Sequence, residues 1–431
     1  MYRTAKFWVL AGMGVFFIIF FLFAMTVGTI MGDGVPGEFL LEGTDAYLAF
    51  YFFGYVQVIL IIFVAVDFRK LEEKWRLHEV MLSKPMTTAN WVTGKYLGVV
   101  TSILYLNMFL MILAAIGRFI KFLVIGSGFN ILPFIKYFAI ATFPSILFMI
   151  ALVFFLVSLV RVQVIAMLLA ASYVAGLWFY IHHKFYGLLD YGSFFASIFH
   201  SDLIGFGDIQ SLLWQRLFFV LLTVVLISLS ILLYPRLSQS KVSKRMTWAV
   251  LVLFAVASGV VGYSIVEKSR SQQQIRLADL EEQKKWISEP LCRVEHYDFD
   301  IIHGERESLL QVKVKMVVHN ANQAPLDSLL FSLNGKLSVE RVNRHDGESI
   351  EFTQRNQLVF LNLAENPLLP SETDTIRIQY AGDIDAVGFQ LDRLPNLKGL
   401  IDKSDGPWIQ PSISAWLSED FAVLPAECGW Y

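Results

Sequence analysis

YFAIATFPSILFMIALVFFLVSLVRVQVIAMLLAASYVAGLWFYI, residues 137–181, holds one charged residue, Arg161, in 45 positions. A buried helix of a water-soluble protein carries an apolar stripe and a polar remainder. Here the apolar character covers the whole circumference, and each side of Arg161 is close to the roughly 20 residues that a bilayer crossing requires. The same pattern recurs along the first 266 residues. Charge-free runs occupy Phe7–Met31, Ala46–Val66, Tyr96–Gly117, Tyr137–Val160, Val162–Ile181, Leu217–Tyr234 and Met246–Val266. The sixth is shortest, and it reaches full length by taking in Leu212, Leu213 and Trp214 if Arg216 is buried or snorkels. Seven spans are therefore expected, with the first retained as an anchor because it is too long for a signal-peptide core.

Composition agrees. The chain has 431 residues, 55% hydrophobic and 17% charged, with a mean hydropathy of +0.55. An ordinary soluble domain needs about a quarter of its residues charged. The net charge of −2 hides a division. Residues 1–266 hold 18 Lys and Arg against 11 Asp and Glu, whereas residues 267–431 hold 17 against 26. Alternate loops carry 13 and 5 positive residues, and the richer set includes the N-terminus. The positive-inside rule then puts the N-terminus in the cytoplasm and residues 267–431 outside. The expected location is the cytoplasmic (inner) membrane, and no nucleic-acid partner is expected.

Between the second and third runs stands DFRKLEEKWRLHEVMLSKPMTTANWVTGK, residues 67–95, too long for a plain connection. Residues 68–82 read as a helix along the membrane face, with Leu71, Trp75 and Leu82 at helical spacing and charges elsewhere. Pro85 stops it, and Thr87 or Thr88 is placed to cap the next helix. Gly94-Lys95 is no phosphate loop, since the earlier glycine and the following hydroxyl residue are missing.

This stretch resembles the permeases of ABC-2-type exporters. Their second span leads into an amphipathic charged helix, then a phrase like E-x-L-L-S-x-P-x-[ST], then a short helix ending in G-K. Here Glu79-Val80-Met81-Leu82-Ser83-Lys84-Pro85-Met86-Thr87 precedes Gly94-Lys95-Tyr96-Leu97. The tight turn Ser158–Val162 and the long connection before the sixth run also fit, so the likeness covers about residues 1–240. The resemblance implies a dimer with a second permease copy or paralogue. It also implies a separate cytoplasmic ABC ATPase, which binds the ATP, docked on a coupling helix. The residues assigned to that contact are Glu72, Glu73, Trp75, Arg76, Glu79, Leu82 and Pro85. The seventh run departs from the family and carries the chain outward.

Residues 267–290 are polar, lack glycine, and read as a helical stalk. Beyond Pro290 the period becomes two: Val312, Val314, Met316 and Val318 alternate with polar residues. Leu329–Leu333 and Lys336–Val342 flank Asn334-Gly335, a hairpin signal. Further strands are expected at Ser349–Thr353, Gln357–Leu363 and Thr375–Tyr380. The fold class is an α-helical polytopic membrane domain followed by a mostly antiparallel β domain. Its parts are residues 1–245, the seventh span 246–266, the stalk 267–290 and the β-domain 291–431.

The β-domain resembles the N-terminal domain of the gluzincin (membrane alanyl) aminopeptidases. The marks are Leu368-Leu369-Pro370-Ser371-Glu372, like L-x-P-G-E, and Ile376–Gly382, like I-x-Y-x-G. Trp416-Leu417 and Cys428–Tyr431 look like the stretch before the catalytic domain of that family. The zinc motif H-E-x-x-H and the G-A-M-E-N phrase are absent, and His296, His303, His319 and His345 lack the spacing of a zinc site. No catalytic centre, metal or cofactor is thus expected in this chain, and the domain reads as incomplete, a truncated form of a longer fusion. Zinc would enter only with a catalytic domain beyond Tyr431. Cys292 and Cys428 both fall outside, where a disulfide would tie the domain's start to its end; two unpaired cysteines are the equal alternative. The function expected is that of a permease subunit of an ABC exporter. The alternative is a membrane-tethered zinc aminopeptidase whose catalytic part lies beyond this chain.

Overall fold

A computed structural model describes residues 5–31, 44–66, 87–125, 129–181, 184–193, 200–201, 205–206, 209–234, 241–286, 292–303, 310–355, 357–384, 416–417 and 422–423. The chain divides into two compact units, one built on Met1–Glu267 and the other on residues from Lys268 onward.

The first unit is helical. Its helices are α1 (Ala5–Met31), α2 (Thr44–Ala65), α3 (Thr88–Ile125), α4 (Leu132–Val160), α5 (Gln163–Ile181), α6 (Ile209–Leu233) and α7 (Lys241–Trp286). Five of them, α3 to α7, are long and apolar enough to cross a membrane. This is the make-up of a membrane-embedded protein. Large apolar side chains such as Phe109, Ile112, Leu168, Phe179, Leu253 and Val260 stand half exposed or more around the outside. In water a surface of that kind would aggregate. Helix α4 lies at the centre: Met149, Ile150, Ala151, Val153, Phe154 and Val157 are all fully buried, within a core shared by α2, α3, α5 and α6. One turn of α4, Phe138–Thr142, is π-helical and leads into Pro144, whose ring cannot sit in a regular i→i−4 ladder. Arg161 ends α4 in a left-handed conformation (φ 62°), and Val162 is extended, so two residues reverse the chain into α5. Two short antiparallel strands, β1 (His200–Ser201) and β2 (Gly205–Phe206), precede α6.

Four expectations need correction, two of them in this unit. Helix α3 does not stop at Gly117 but runs to Ile125, and α4 starts at Leu132 rather than Tyr137. Arg118 and Lys121, read as loop residues, are therefore buried helical residues, 3% and 9% exposed. Leu-, Ile- and Phe-rich flanks carry the helix through these two charges. The other two lie in the β unit.

That unit contains β3 (Arg293–His303), β4 (Leu310–His319), β5 (Ser328–Ser332), β6 (Leu337–Arg344), β7 (Phe352–Arg355), β8 (Leu358–Asn362) and β9 (Thr373–Gly382). A small pair, β10 (Trp416–Leu417) and β11 (Ala422–Val423), follows. Every pairing is antiparallel: β3-β4-β9-β6 form one sheet and β5-β8-β7 another. On β4, Leu310, Val312, Val314, Met316 and Val318 point into the shared core, and the residues between them face out or toward the margin. Asn334-Gly335 is not a hairpin turn. It carries the chain from β5 in one sheet to β6 in the other. Gly335 lacks the positive φ that a type I′ turn demands. Instead the Asn334 side chain accepts from the Lys336 amide at 3.2 Å, and the Asn334 carbonyl accepts from Leu337 at 2.9 Å. The strand expected at Ser349–Thr353 is displaced to Phe352–Arg355, because Ile350 and Ser349 pair with the end of β6.

Two turn positions explain phrases that the sequence only suggested. Ser371 is left-handed (φ 63°), a conformation glycine takes without a Cβ clash. Its amide donates to the carbonyl of Asn320 at 2.9 Å. The buried Asn320 side chain donates to Leu368 and Ala324, locking the end of β4 onto this turn. Gly382 ends β9 with φ 149°, and a Cβ there would lie 2.3 Å from the Lys336 carbonyl oxygen. Ser371→Gly is therefore expected to stabilise the β unit by about 1 kcal/mol, the usual left-handed penalty of a non-glycine residue. Gly382→Ala should destabilise it. Hydrogen exchange of the β9 amides in the full chain reads both, and faster exchange in Ser371→Gly would refute the assignment.

Candidate functional site

Where α5 ends and α6 begins, a non-helical segment, residues 184–193, folds back among the helices. Tyr191 and Ser193 are fully buried, and Asp190 is 2% exposed. The hydroxyl of Tyr173 donates to the Leu189 carbonyl at 2.9 Å. Tyr173 lies two turns inside α5, roughly 12 Å from its end at Ile181. The segment has therefore returned into the bundle.

The buried part of this backbone, residues 190–193, lies away from water, so its carbonyls need donors from the protein. The donors come from three helices. Helix α6 supplies Gln215, whose Nε2 donates to the carbonyls of Gly187 (2.7 Å) and Asp190 (3.2 Å). Its Oε1 accepts from Ser193 at 2.8 Å. The neighbouring Arg216 donates through Nη1 to the Tyr191 carbonyl and, at 3.3 Å, to the Ser145 hydroxyl. Helix α4 supplies Ser145, whose Oγ lies 2.9 Å from that same carbonyl. Helix α5 supplies Tyr173. Rings close the space around these bonds: Tyr191 packs against Phe148 (5.8 Å) and Tyr173 (5.9 Å), and Phe148 meets Phe219 edge-on at 4.8 Å.

Arg216 is 3% exposed, which answers the question left by the short sixth run: the guanidinium is buried in protein, with Asp190 within electrostatic reach. Phe185, Tyr186 and Gly187 are all left-handed, with φ of 51°, 56° and 73°. For the two non-glycine residues that conformation costs about 1–2 kcal/mol each, so the segment is strained as well as pinned. Ionisable groups inside an apolar bundle are expensive and mark functional positions. The arrangement holds a backbone segment in place; it brings together no nucleophile with a base.

The residues singled out from the sequence lie elsewhere. Glu72, Glu73, Trp75, Arg76, Glu79, Leu82 and Pro85 fall outside the described residues. The structure resumes at Thr87, whose Oγ1 accepts from the Asn90 amide at 3.1 Å and caps α3 as expected. Just inside α3, Trp91 donates to the Tyr234 hydroxyl at 3.3 Å, and the Lys95 ammonium sits 4.6 Å above the Trp91 ring. In the β unit Cys292 is half-buried, and burial pushes its thiol up to about 11. Its possible partner Cys428 lies outside the described residues. His319 contacts Thr373, and His345 pairs with Asp374, which Arg344 also meets at 3.2 Å. Among the described residues no three His, Cys, Asp or Glu side chains are grouped to hold a metal ion.

Replacing Arg216 by Met should leave the Tyr191 carbonyl under-satisfied, at a cost of about 1–3 kcal/mol. The expected result is faster hydrogen exchange at residues 187–193 with the helices still protected. Unchanged exchange there would show that Arg216 does not hold the segment.

No family model matches the chain, and no curated protein matches it. Solved structures do. The M1 zinc metallopeptidase from Deinococcus radiodurans is similar at 27% identity with a TM-score of 0.20. A mutant of that enzyme bound to a Tyr-Ser-Ala substrate gives 27% and 0.19, and a two-domain mutant bound to L-tryptophan gives 27% and 0.20. Each likeness covers 22% of this chain and 21% of the metallopeptidase, so the match spans about a fifth of that protein's length.

Proposed function

We propose that this chain is the membrane permease subunit of an ATP-driven ABC exporter, of the ABC-2 type, working as a dimer with a separate cytoplasmic ATPase. In this reading all seven helices cross the inner membrane. The N-terminus is cytoplasmic, the β unit lies on the far side, and ATP is bound by the partner. The observation that carries it is the sequence phrase Glu79–Thr87 followed by Gly94-Lys95, whose last residue, Thr87, caps the start of α3.

The packing supplies a route from that phrase to the pinned segment. Beyond the Trp91–Tyr234 contact, α3 buries Val92, Tyr96, Val100 and Ile103 against α4. The Tyr96 hydroxyl donates to the Leu147 carbonyl at 3.0 Å, two residues from Ser145. A push on the coupling helix travels along α3, a rigid rod, into α4 and reaches the Ser145 contact that holds residues 184–193. Release of that segment, at the end remote from the ATPase, opens the bundle. Apolar outer faces and an apolar core suit a lipid-like or amphipathic cargo. The β unit is proposed as a relative of the aminopeptidase N-terminal domain, which the left-handed Ser371 and the crowded Gly382 support, since each stands where that family's phrase has glycine.

Two measurements test this. A buried aromatic rimmed by charges carries most of an interface's energy. Trp75→Ala should thus weaken ATPase co-purification by about 2 kcal/mol or more. Glu79→Lys should cost less and depend on salt. Equal recovery of the ATPase with both variants would remove the exporter reading. Separately, a reporter fused after Lys244 should read cytoplasmic and one after Ser288 extracytoplasmic. Both on one side would eliminate the seventh crossing.

A further inference from the structure

Tyr173, Gln215, Arg216 and Ser145 meet residues 187–191 by donating to carbonyl oxygens, those of Gly187, Leu189, Asp190 and Tyr191. The segment does not use all that these donors offer. A guanidinium carries five N–H groups and no acceptor. Nη1 of Arg216 serves the Tyr191 carbonyl. The edge formed by Nε and Nη2 is nearly idle. Among the described residues the buried Nε has no hydrogen-bond partner, and Nη2 has only the Gln215 oxygen at 3.5 Å. Paired N–H groups of this kind grip both oxygens of a carboxylate or phosphate in parallel. A single carbonyl oxygen cannot fill them.

Charge points the same way. Buried charges normally come paired. Arg216 is 3% exposed, yet it forms no salt bridge among the described residues. The negative charge within its electrostatic reach is Asp190, which the segment itself carries. If residues 187–191 swing out, Asp190 leaves with them, and the guanidinium stays behind in an apolar bundle. Other parts of the contact give way more easily. Phe185 and Tyr186 lose their left-handed strain, and Ser145 has a second acceptor inside α4, the Ala141 carbonyl at 2.6 Å. Arg216 therefore calls for an anion in exchange. It stands about 10 Å inside α6, counted from Ile209, beside the rings of Phe148 and Phe219. A small hydrated anion would have to give up its water there, whereas the head of an amphiphile brings its own apolar tail into apolar surroundings.

We infer that residues 187–191 occupy the place of an oxyanion head group. The cargo is an amphiphile with a phosphate or carboxylate head, which displaces the segment, takes the Nε–Nη2 edge of Arg216 and accepts from Gln215, Ser145 and Tyr173. The segment is then an autoinhibitory stand-in for that head, Asp190 included. The inference deepens the exporter reading and rests on it for the role of cargo.

The test uses the full chain in phosphatidylcholine nanodiscs, without an ATPase, and reads hydrogen exchange at residues 187–193 during titration with dodecyl phosphate. Exchange there should rise at least fivefold and saturate, with the helices still protected. Dodecanol, which has the tail without the charge, should do nothing. Inorganic phosphate should also do nothing; a response equal to that of dodecyl phosphate overturns the amphiphile. Arg216→Lys keeps the charge and loses the paired donors, so its midpoint should move to at least tenfold higher concentration. Asp190→Asn removes the segment's own anion, so its midpoint should fall at least threefold, a gain that a merely structural role of Asp190 would not produce. No response in the parent chain, or an equal response to dodecanol, overturns the site. So does a parent-like midpoint in folded Arg216→Lys. If Arg216→Lys does not fold, an unchanged or raised midpoint in Asp190→Asn overturns it. The two readings fail separately: loss of the exporter reading in the Trp75→Ala co-purification leaves this response standing, and a silent titration leaves ATPase docking untouched.

Discussion

The Arg216 guanidinium donates to one backbone carbonyl, that of Tyr191, in a place water does not reach. Removing that donor would weaken a hold that Gln215, Ser145 and Tyr173 share, the hold on residues 184–193. Their backbone is left-handed at three successive positions, and a strained segment persists only where its surroundings over-determine it. Arg216, Gln215, Ser145 and Tyr173 do so from three helices at once. The helices in turn are spaced by what they enclose, since Phe148, Tyr173, Tyr191 and Phe219 share one aromatic cluster. The polar pins and the ring packing are one construction. An apolar bundle can admit irregular backbone only by dedicating charged and hydroxylic side chains to it.

Much of the helical unit was legible because hydrophobic run length is a strong and local signal. The two-residue reversal at Arg161 could be read directly. Helix ends were harder: Arg118 and Lys121 looked like loop residues, yet α3 keeps them inside its helix, buried against neighbours. The pinned segment was invisible for a specific reason. Its acceptors are backbone carbonyls, which every residue has, so nothing in the letters GLLDYGS distinguishes a buried strap from a surface loop. The available clue was Arg216, a lone cation two turns into an apolar helix. In the β unit, alternation located β4 correctly, whereas Asn334-Gly335 misled. That dipeptide favours a hairpin only when both flanking strands belong to one sheet, and here the chain changes sheets. Ser371 shows the reverse case: a familiar phrase with a serine in the glycine position, which the fold accommodates at the expense of a left-handed backbone.

Strand β9 lies between β4 and β6, and neither of those bonds to the other. Its residues, 373–382, come about 60 positions after those of β4. During synthesis β3 and β4 can pair as soon as they emerge, but β4 then carries a bare edge and an uncovered row of Val312, Val314 and Met316. Bare apolar edges of this kind recruit other chains. The wait for β9 is a loop-closure delay of the sort that makes non-local sheets slow to form. Ribosome pausing, chaperone capture or translocation speed would accordingly act most strongly in the interval between residues 319 and 373. After Gly382 seats against the Lys336 carbonyl, the edge no longer exists.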